Sequence, residues 1–506
     1  LKKKYLNNFL KQKKNITDTE ILINLYEKKQ HKIIPKLLNG MYAYIVFDTA
    51  KDKLQIVNDT QGEKNLYYYD NDDFLIVSST IRSIKNYLNL KDLNKEVIKN
   101  YFFTRHFMPL ENTCYKNLKL FKSGTINFFD LKKFNSKSYV YDDPINWISK
   151  KKYNYYKNLG EEKLINLIDK ELNNQAKIMI PKKQFSCIVS GGIDSTLQAK
   201  ILSKYKKANF YSVIDHGKKK DHIMEYINKF NKYFPKNINK IKLNSKKYVK
   251  LFKNCYNLIS SPLQTHDLPG RLHLANFFKK KKTYVFFSAD GCDELLGGQQ
   301  LYEKVFKKKF NFKKNNSPYS SLNIIKNFKP SSTIKSNLEK NWIKLLDKYS
   351  FIKNKKERNI QSSLYMDYFF QSISVANRSN DLICCSRSLE PRNLFISKNL
   401  IKIFINLPLV YKINYKIKDK RFRQKYILKK IFIRYFCDDL IFEKAGFSGF
   451  PSKVNYIKNK FSNINKLIDF KNLHSLRYKN YYDKVNNKRD IEWKKKNLEN
   501  FLKLSV

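Results

Sequence analysis

Six consecutive residues, Ser-Gly-Gly-Ile-Asp-Ser from Ser190 to Ser195, have the composition of a phosphate-binding turn. They follow an apolar run that predicts a strand, and they precede a pattern that predicts a helix. Paired glycines let the backbone approach a bound group closely, and amides at a helix N-terminus favour an anion. The serine hydroxyls add donors, and Asp194 can hold a magnesium ion. An ordinary glycine turn is the alternative, but the chain has only 13 glycines.

A second motif, Ser-Ala-Asp-Gly-Cys-Asp-Glu-Leu-Leu-Gly-Gly, runs from Ser288 to Gly298 after another apolar run. It brings the carboxylates of Asp290, Asp293 and Glu294 to the carboxyl end of a predicted strand, where open α/β sheets bind ligands. Favourable charge at a helix N-terminus would by itself explain Asp293 and Glu294. Because the first motif is also present, we interpret the two motifs as parts of one site.

Together the two motifs resemble those of the PP-loop ATP pyrophosphatases, specifically the asparagine synthetase family, whose synthetase domain carries SGGxDS and SGEGxDExxGG. Further segments are similar to motifs of that family in the same order: Asp381 with Leu389–Arg392, then Lys425–Lys429 and Lys444–Phe447. The resemblance implies an enzyme that transfers AMP from ATP onto a carboxylate, releases pyrophosphate and then forms an amide. ATP and Mg²⁺ are the implied cofactors.

The resemblance also implies a role for each matched residue. The residues expected to bind ATP and pyrophosphate are Ser190, Gly191, Gly192, Asp194, Ser195, Val213 and Gly291. Asp194 and Asp293 are expected to hold Mg²⁺. The expected catalytic residues are Asp194, Asp290, Asp293 and Lys425. Lys425 would stabilise negative charge near the α-phosphate or during amide formation.

Two departures from the family pattern concern the acceptor. Asp290 stands where the family has glutamate at the acceptor site, and Pro262–Pro269 also differs. We expect aspartate to be amidated to asparagine through a β-aspartyl adenylate. The alternative is a related amidotransferase, or a β-lactam-synthetase-like enzyme, that acts on another carboxylate. A non-catalytic basic binding protein is a third interpretation, against which the intact magnesium carboxylates argue.

The first part of the chain resembles the class II glutaminase domain of the same family. Leu38–Tyr44 matches its L-x-G-M-F-A-F strand. Asp59–Tyr68 matches a second motif, although Asn58 replaces an arginine and Asn65 a proline. In that family the domain hydrolyses glutamine and supplies ammonia through an internal tunnel. The resemblance places Asp18 at the amino group of glutamine.

The glutaminase nucleophile of the family is a cysteine at the mature N-terminus, whose α-amino group serves as the base. Here the first residue is Leu1, and the first cysteine is Cys114. We therefore expect that the chain as given lacks the nucleophile and the early strands. On this expectation it cannot hydrolyse glutamine but can use free ammonia.

Hydrophobic periodicity predicts the elements that must position these motifs. Short apolar runs separated by polar turns indicate a β-rich region over residues 1–135, with helices at 19–28, capped by Asp18, and 95–103. The polar, aromatic stretch 136–160 indicates a linker. We expect the first region to form a glutaminase sandwich of the N-terminal-nucleophile type.

Strand and helix patterns alternate after the linker. An amphipathic helix at 161–178 precedes predicted strands that include Phe185–Val189, Phe210–Ile214 and Thr283–Ser288. Such alternation implies a parallel sheet, and helical patterns continue from about residue 300. The predicted fold class is thus α+β followed by α/β, with a PP-loop domain over 161–506 and a largely helical C-terminal part.

The formal net charge is +57, from 101 Lys and Arg against 44 Asp and Glu. The lysines are spread along the whole chain, so we interpret the charge as compositional and expect no specific nucleic-acid partner. Seven scattered cysteines favour a reducing, cytoplasmic location. No long uncharged apolar run predicts a membrane span. The expected partners are small-molecule substrates, with a homodimer as one candidate assembly.

Overall fold

Within the residues that the structure describes, helices surround three β-sheets. The computed structural model describes residues 17–28, 32–71, 73–98, 111–133, 135–215, 222–263, 265–298, 332–441, 463 and 484–505. Two sheets are antiparallel and belong to the N-terminal part, whereas the third is parallel. The β-rich beginning, the parallel sheet and the helical C-terminal part confirm the predicted fold class. Within the described residues, no helix has the length and apolar character of a membrane span.

In the described part of the N-terminal region, seven short strands form the two sheets. They are β1 (Ala43–Asp48), β2 (Lys53–Asn58), β3 (Tyr67–Asp70), β4 (Leu75–Ser78), β5 (Leu118–Leu120), β6 (Thr125–Asp130) and β7 (Asn135–Val140). The larger sheet has the order β1-β2-β6-β7 and the smaller the order β4-β3-β5. The accompanying helices are α1 (Asp18–Glu27), α2 (Ile34–Leu37) and α3 (Ile81–Tyr87).

The parallel sheet has the strand order β10-β9-β8-β11-β12. Its strands are β8 (Phe185–Ile188), β9 (Ala208–Asp215), β10 (Asn239–Leu243), β11 (Val285–Phe287) and β12 (Glu390–Arg392). The central strands are apolar because helices cover both faces of such a sheet. β12 comes from far along the chain and pairs with β11, with Phe287 opposite Arg392. This pairing brings residues 390–392, singled out in sequence, to the same edge as the second motif.

Helices connect and cover the parallel strands. They are α4 (Lys150–Leu159), α5 (Glu161–Met179), α6 (Ile193–Leu202), α7 (His222–Asn231), α8 (Ser245–Ile259), α9 (Leu268–Lys280), α10 (Cys292–Leu296), α11 (Ser332–Lys348), α12 (Lys355–Met366), α13 (Arg378–Cys385), α14 (Lys398–Phe404), α15 (Leu409–Lys412), α16 (Tyr426–Phe432) and α17 (Lys484–Ser505). An 11-residue π-helix, Asp367–Asn377, joins α12 to α13. Short 3₁₀ turns lie at Pro144–Trp147, Lys420–Phe422 and Asp438–Leu440.

The N-terminal part and the parallel-sheet part share a hydrophobic core. One buried cluster includes Tyr67 of β3 and Leu118 of β5 together with Phe252 of α8 and Phe286 of β11. Polar contacts add to it, such as the hydrogen bond of 3.0 Å that the Gln61 amide donates to the carbonyl of residue 396. Apolar burial of this kind stabilises at roughly 25 cal/mol per Å², so it holds the two parts together.

The structure differs from the predicted elements in two places. The N-cap of α1 is Thr17 and not Asp18, because the Thr17 hydroxyl accepts the Glu20 amide and the Glu20 carboxylate accepts the Thr17 amide. The stretch 136–160 was interpreted as a linker from its polarity, yet it contains most of β7 and all of α4. Of the helix expected at 95–103, residues 95–98 are helical and the others lie outside the described residues.

Candidate active site

A cavity of about 590 Å³ opens at the carboxyl edge of the parallel sheet. The first motif, Ser190–Ser195, follows β8, and the second begins at Ser288 after β11. Both motifs line this cavity, and so does Val213 of β9. Parallel strands end at the same edge, so the topology joins segments that are distant in sequence.

The first motif forms a tight turn into α6. Gly191 has a φ of +80°, and a Cβ there would overlap the ring of Tyr226. A side chain is therefore excluded at Gly191 both by conformation and by space. The Ser195 hydroxyl accepts the backbone amide of Ser190 at 3.0 Å and lies 2.8 Å from the Ser190 hydroxyl. These bonds fix the turn with the helix N-terminus facing the cavity, an arrangement that favours a bound anion.

Lys425 unites the two motifs. Its ammonium forms ion pairs with both Asp194 of the first motif and Asp293 of the second. Lys425 has a left-handed backbone, with φ +51°, at the N-cap of α16. This conformation is strained for a residue with a side chain, and strained residues often occur at functional sites. A Cβ at Gly298 would overlap the Lys425 side chain and the Asp293 carboxylate, so this glycine provides space for the ion pair.

The two carboxylates are suited to a divalent cation bound together with phosphates. Asp194 Oδ1 is buried and has no hydrogen-bond partner among the described residues. Mg²⁺ usually takes one or two protein carboxylates and completes its shell with phosphate oxygens and water. In the part of the chain that the structure describes, no group of three or more His, Cys, Asp or Glu is arranged so that it could hold a metal ion. Asp194 and Asp293 therefore fit a magnesium–nucleotide complex better than an all-protein metal site.

Basic side chains of residues 420–429 form another part of the cavity wall, which we call the basic wall. Four of them line it besides Lys425: Lys420, Arg421, Arg423 and Lys429. Burial, followed by the positive charge of Lys425, lowers the pKa of Lys429 to about 8. Such a wall attracts a polyanion, because several cations surround a partly desolvated space.

Asp290 belongs to a charge cluster on another part of the cavity wall. Arg271 of α9 donates hydrogen bonds of 2.9 and 2.7 Å to the two oxygens of Asp290. The Arg271 Nε donates to Asp267 at 2.5 Å, and the Ser288 hydroxyl donates to Asp290 at 2.9 Å. Sequence reasoning missed Arg271. It noted Asp267 only as part of the segment Pro262–Pro269, which differs from the family pattern. The only available signal was an arginine within an otherwise apolar helical stretch.

The remaining predicted residues occupy different places. Gly291 does not line the cavity; its φ is +90°, and a Cβ there would contact Ile396 and Tyr368. Asp18 is exposed at the first turn of α1 and is not part of the cavity wall. The matched segment 444–447 lies outside the described residues. The cavity thus brings together every predicted ATP-site residue except Gly291.

Two family models match the chain. A glutamine amidotransferase domain matches residues 1–140, and the asparagine synthase family matches residues 170–485. The second match covers more than half of the 506 residues. The matched range, residues 170–485, contains the two motifs, the basic wall and β12.

Several known proteins are similar in sequence. A Methanocaldococcus jannaschii protein, provisionally named asparagine synthetase (glutamine-hydrolyzing) 2, is 26% identical over 313 residues, which cover 60% of this chain and 58% of that protein. The asparagine synthetase (glutamine-hydrolyzing) of Gallus gallus is 24% identical over 57% of this chain and 51% of its own. That of Rattus norvegicus is 25% identical over the same shares. The matches therefore span about half of each relative.

Proposed function

Because the chain belongs to the asparagine synthase family, we propose that its cavity adenylylates a carboxylic acid with ATP and then converts the acyl adenylate to an amide. We further propose that the acid is aspartate, that the intermediate is β-aspartyl adenylate and that the product is asparagine. The observation that carries the proposal is the joining of Asp194 and Asp293 by Lys425, directly behind a phosphate-binding turn. This arrangement is suited to nucleotide phosphates.

In this proposal the turn at Ser190–Ser195 binds the β- and γ-phosphates. The amides at the start of α6 supply donors without any rearrangement, because the hydroxyl bonds of Ser190 and Ser195 already fix the turn. Val213 lies in the wall of the same cavity, next to the polar turn. The acid oxygen attacks the α-phosphorus, the bond to the β-phosphate oxygen breaks, and pyrophosphate leaves.

Asp194 and Asp293 would hold the magnesium ion that accompanies ATP. When bound, that ion supplies positive charge to the phosphates. Lys425 then has a separate task, which is to stabilise negative charge at the α-phosphate or on the tetrahedral carbon during amide formation. The cations of the basic wall, including Lys429, would orient the nucleotide and neutralise the departing pyrophosphate.

Ammonia attacks the carbonyl carbon of the adenylate, the bond to AMP breaks, and a proton is released. The names of the relatives include the term glutamine-hydrolyzing, and the N-terminal part of this chain matches a glutamine amidotransferase domain. We infer that glutamine is the nitrogen donor in the whole protein. On this proposal Asp18 holds the amino group of glutamine.

The direct test is acid-dependent exchange of labelled pyrophosphate into ATP. Wild-type protein with aspartate and Mg²⁺ should exchange, whereas Asp194→Asn should lose the exchange by at least about 100-fold, since the site depends on preorganised charge. Asp347→Asn, at an exposed position of α11, is the matched control and should behave as wild type. Full exchange by a folded Asp194→Asn protein would refute the assignment.

A second acceptor class is favoured by one observation. Both oxygens of Asp290 accept hydrogen bonds from Arg271, so the acceptor faces a charge cluster instead of a single carboxylate. A related amidotransferase, or a β-lactam-synthetase-like enzyme, would activate another acid here. Comparing exchange rates among aspartate, succinate, β-alanine and larger amino acids separates the candidates, because the best substrate gives the highest rate.

A further inference from the structure

A second, smaller cavity lies between the N-terminal part and the active-site cavity. Its volume is about 30 Å³, which is enough for a molecule the size of water. Ser288, Asp290 and Asn380 line both cavities. The N-terminal part contributes Met41 and Glu63 to the wall. The small cavity therefore adjoins the acceptor side of the active site. Glu63 is the acidic side chain that the N-terminal part contributes to the wall of this cavity.

Glu63 is held in place by a tightly bonded turn. The buried carboxylate of Asp59 accepts the backbone amides of Gln61 at 2.9 Å, Glu63 at 3.0 Å and Lys64 at 2.9 Å. Gly62 has a φ of +67°, and a Cβ there would overlap the Ser123 side chain. This geometry orients Glu63 without any contribution from the Glu63 side chain itself.

The other carboxylates of this small cavity already have cationic partners. Asp290 is paired with Arg271, and Asp381 is paired with Lys64. Glu63 instead accepts a hydrogen bond of 3.2 Å from the neutral amide of Gln61, and the described residues form no ion pair with it. The cavity thus combines a carboxylate that lacks a paired cation with space for one small molecule.

An amide in the cavity wall provides an independent observation. Asn377 lines the small cavity, and its Nδ2 atom is buried without a hydrogen-bond partner among the described residues. Buried polar atoms of this kind normally have a partner, which is either a protein group or an ordered water. Asn380 and Asn393 also line the cavity. Carboxylate and amide oxygens around a space of this size can accept hydrogen bonds from ammonium, whereas the Asn377 Nδ2 donor can bond the lone pair of the neutral ammonia that forms.

We propose that this cavity binds ammonium and that Glu63 removes a proton from it, so that ammonia reaches the acyl adenylate uncharged. This inference rests on the proposed function. In the step, an N–H bond of ammonium breaks and an O–H bond forms on Glu63. The freed lone pair of ammonia attacks the acyl carbon, the bond from that carbon to AMP breaks, and the nitrogen releases a second proton to water as the amide forms. Glu63 later returns its own proton to water. A neutral molecule also crosses the wall between the cavities at a smaller desolvation cost.

The charges around Glu63 favour this role. Burial raises the pKa of Glu63 well above its ordinary value, and the negative charge of Asp59 raises it further. Lys64 lowers it, whereas Asp381 and Glu390 raise it. Tyr368, Asp290 and Arg392 are the other titratable or charged groups around Glu63 and its cavity. A carboxylate with a raised pKa is a stronger base and accepts a proton from ammonium more readily.

The test compares two nitrogen nucleophiles with Glu63→Gln protein. With the acid that best supports exchange, kcat/KM for ammonium at pH 7 should fall by about 100-fold, the usual range for loss of a general base. The loss should shrink as the pH rises, because free ammonia then becomes abundant. Hydroxylamine is largely uncharged at neutral pH, so its rate should not change. Glu63→Asp, which keeps the carboxylate, should recover part of the ammonium rate.

Pyrophosphate exchange, which needs no nitrogen source, shows whether the variant is folded and activates the acid. Glu111→Gln, at an exposed position in the N-terminal part, is the control and should match wild type. Unchanged ammonium kinetics in Glu63→Gln would overturn the inference, as would an equal loss with ammonium and hydroxylamine. Absence of exchange by wild type with every acid would instead refute the proposed function, on which this inference depends.

Discussion

At the scale of single residues, Lys425 is the centre of the site. It pairs with Asp194 and Asp293, and removing one partner of a buried ion pair leaves uncompensated charge. We expect Lys425→Met to lower pyrophosphate exchange by about 100-fold or more. Lys425→Arg should not restore it, because Gly298 leaves little space around the ammonium.

Exchange assays with purified variants, together with circular dichroism to confirm folding, check this expectation. Lys430→Met is the matched control, since Lys430 lies in the same helix and contacts Glu161 only at 3.9 Å. Wild-type exchange rates in Lys425→Met would contradict the role given to Lys425.

The lowered pKa of Lys429 predicts that ATP binding depends on pH. Its pKa in the free protein is lowered to about 8, chiefly by burial and then by Lys425. Above pH 8 it is therefore mostly neutral, and nearby phosphates favour its charged form. ATP binding at pH 9 should take up about one proton by linkage, and ATP affinity should decline from pH 8 to 9.

Calorimetric titration with ATP in two buffers of different ionisation enthalpy measures this proton uptake. Lys429→Met should show no such uptake at pH 9, and at pH 7 the two proteins should differ little in uptake. Equal proton uptake by wild type and variant at pH 9 would show that another group titrates.

At the scale of elements, α10 illustrates how a short helix positions charged side chains in the active site. It begins after Gly291 and ends at Gly297, both with positive φ, and Gly298 follows against Lys425. We expect Gly298→Ala to displace the Lys425–Asp293 pair and to reduce exchange by about 100-fold, because small misplacements are costly in catalysis. A thermal melt and an exchange assay on the same preparation check this; a variant with wild-type activity would disprove the spatial argument.

The same scale shows what the sequence could predict. The motifs at 190–195 and 288–298 were predictable because their spacing depends on local strand–turn–helix geometry. The role of Arg271 was not predictable from the sequence, because Asp290, its partner, becomes adjacent only when α9 packs beside β11. Glu63 was matched as part of a motif, but the cavity it faces depends on the contact between two parts of the chain.

Helix caps and short strands were predicted less well than the motifs. Thr17 and Asp18 are both good N-cap residues, and the reciprocal bond with Glu20 decides between them. β7 has an exposed, polar pattern, so its pairing with β6 determines that it is a strand. Pairing with a neighbouring strand of this kind leaves no periodic signal in the sequence.

At the scale of the whole molecule, the net charge of +57 governs non-specific association. We predict that any binding to nucleic acid is weak and independent of sequence. Its affinity should fall on the order of 10³-fold between roughly 50 and 200 mM salt, as counterion release requires. Fluorescence anisotropy with unrelated duplexes at both salt concentrations measures this, and a sequence-selective complex that persists at physiological salt would contradict it.

The shared core has a further consequence for how the chain is divided. The two family matches end at residue 140 and begin at residue 170, yet a single buried cluster joins Tyr67 and Leu118 to Phe252 and Phe286. A cut between the two matches would thus pass through one common interior. Each half would then carry an uncovered apolar face and associate with other chains. The functional modules and the folding units of this protein therefore do not share their boundaries.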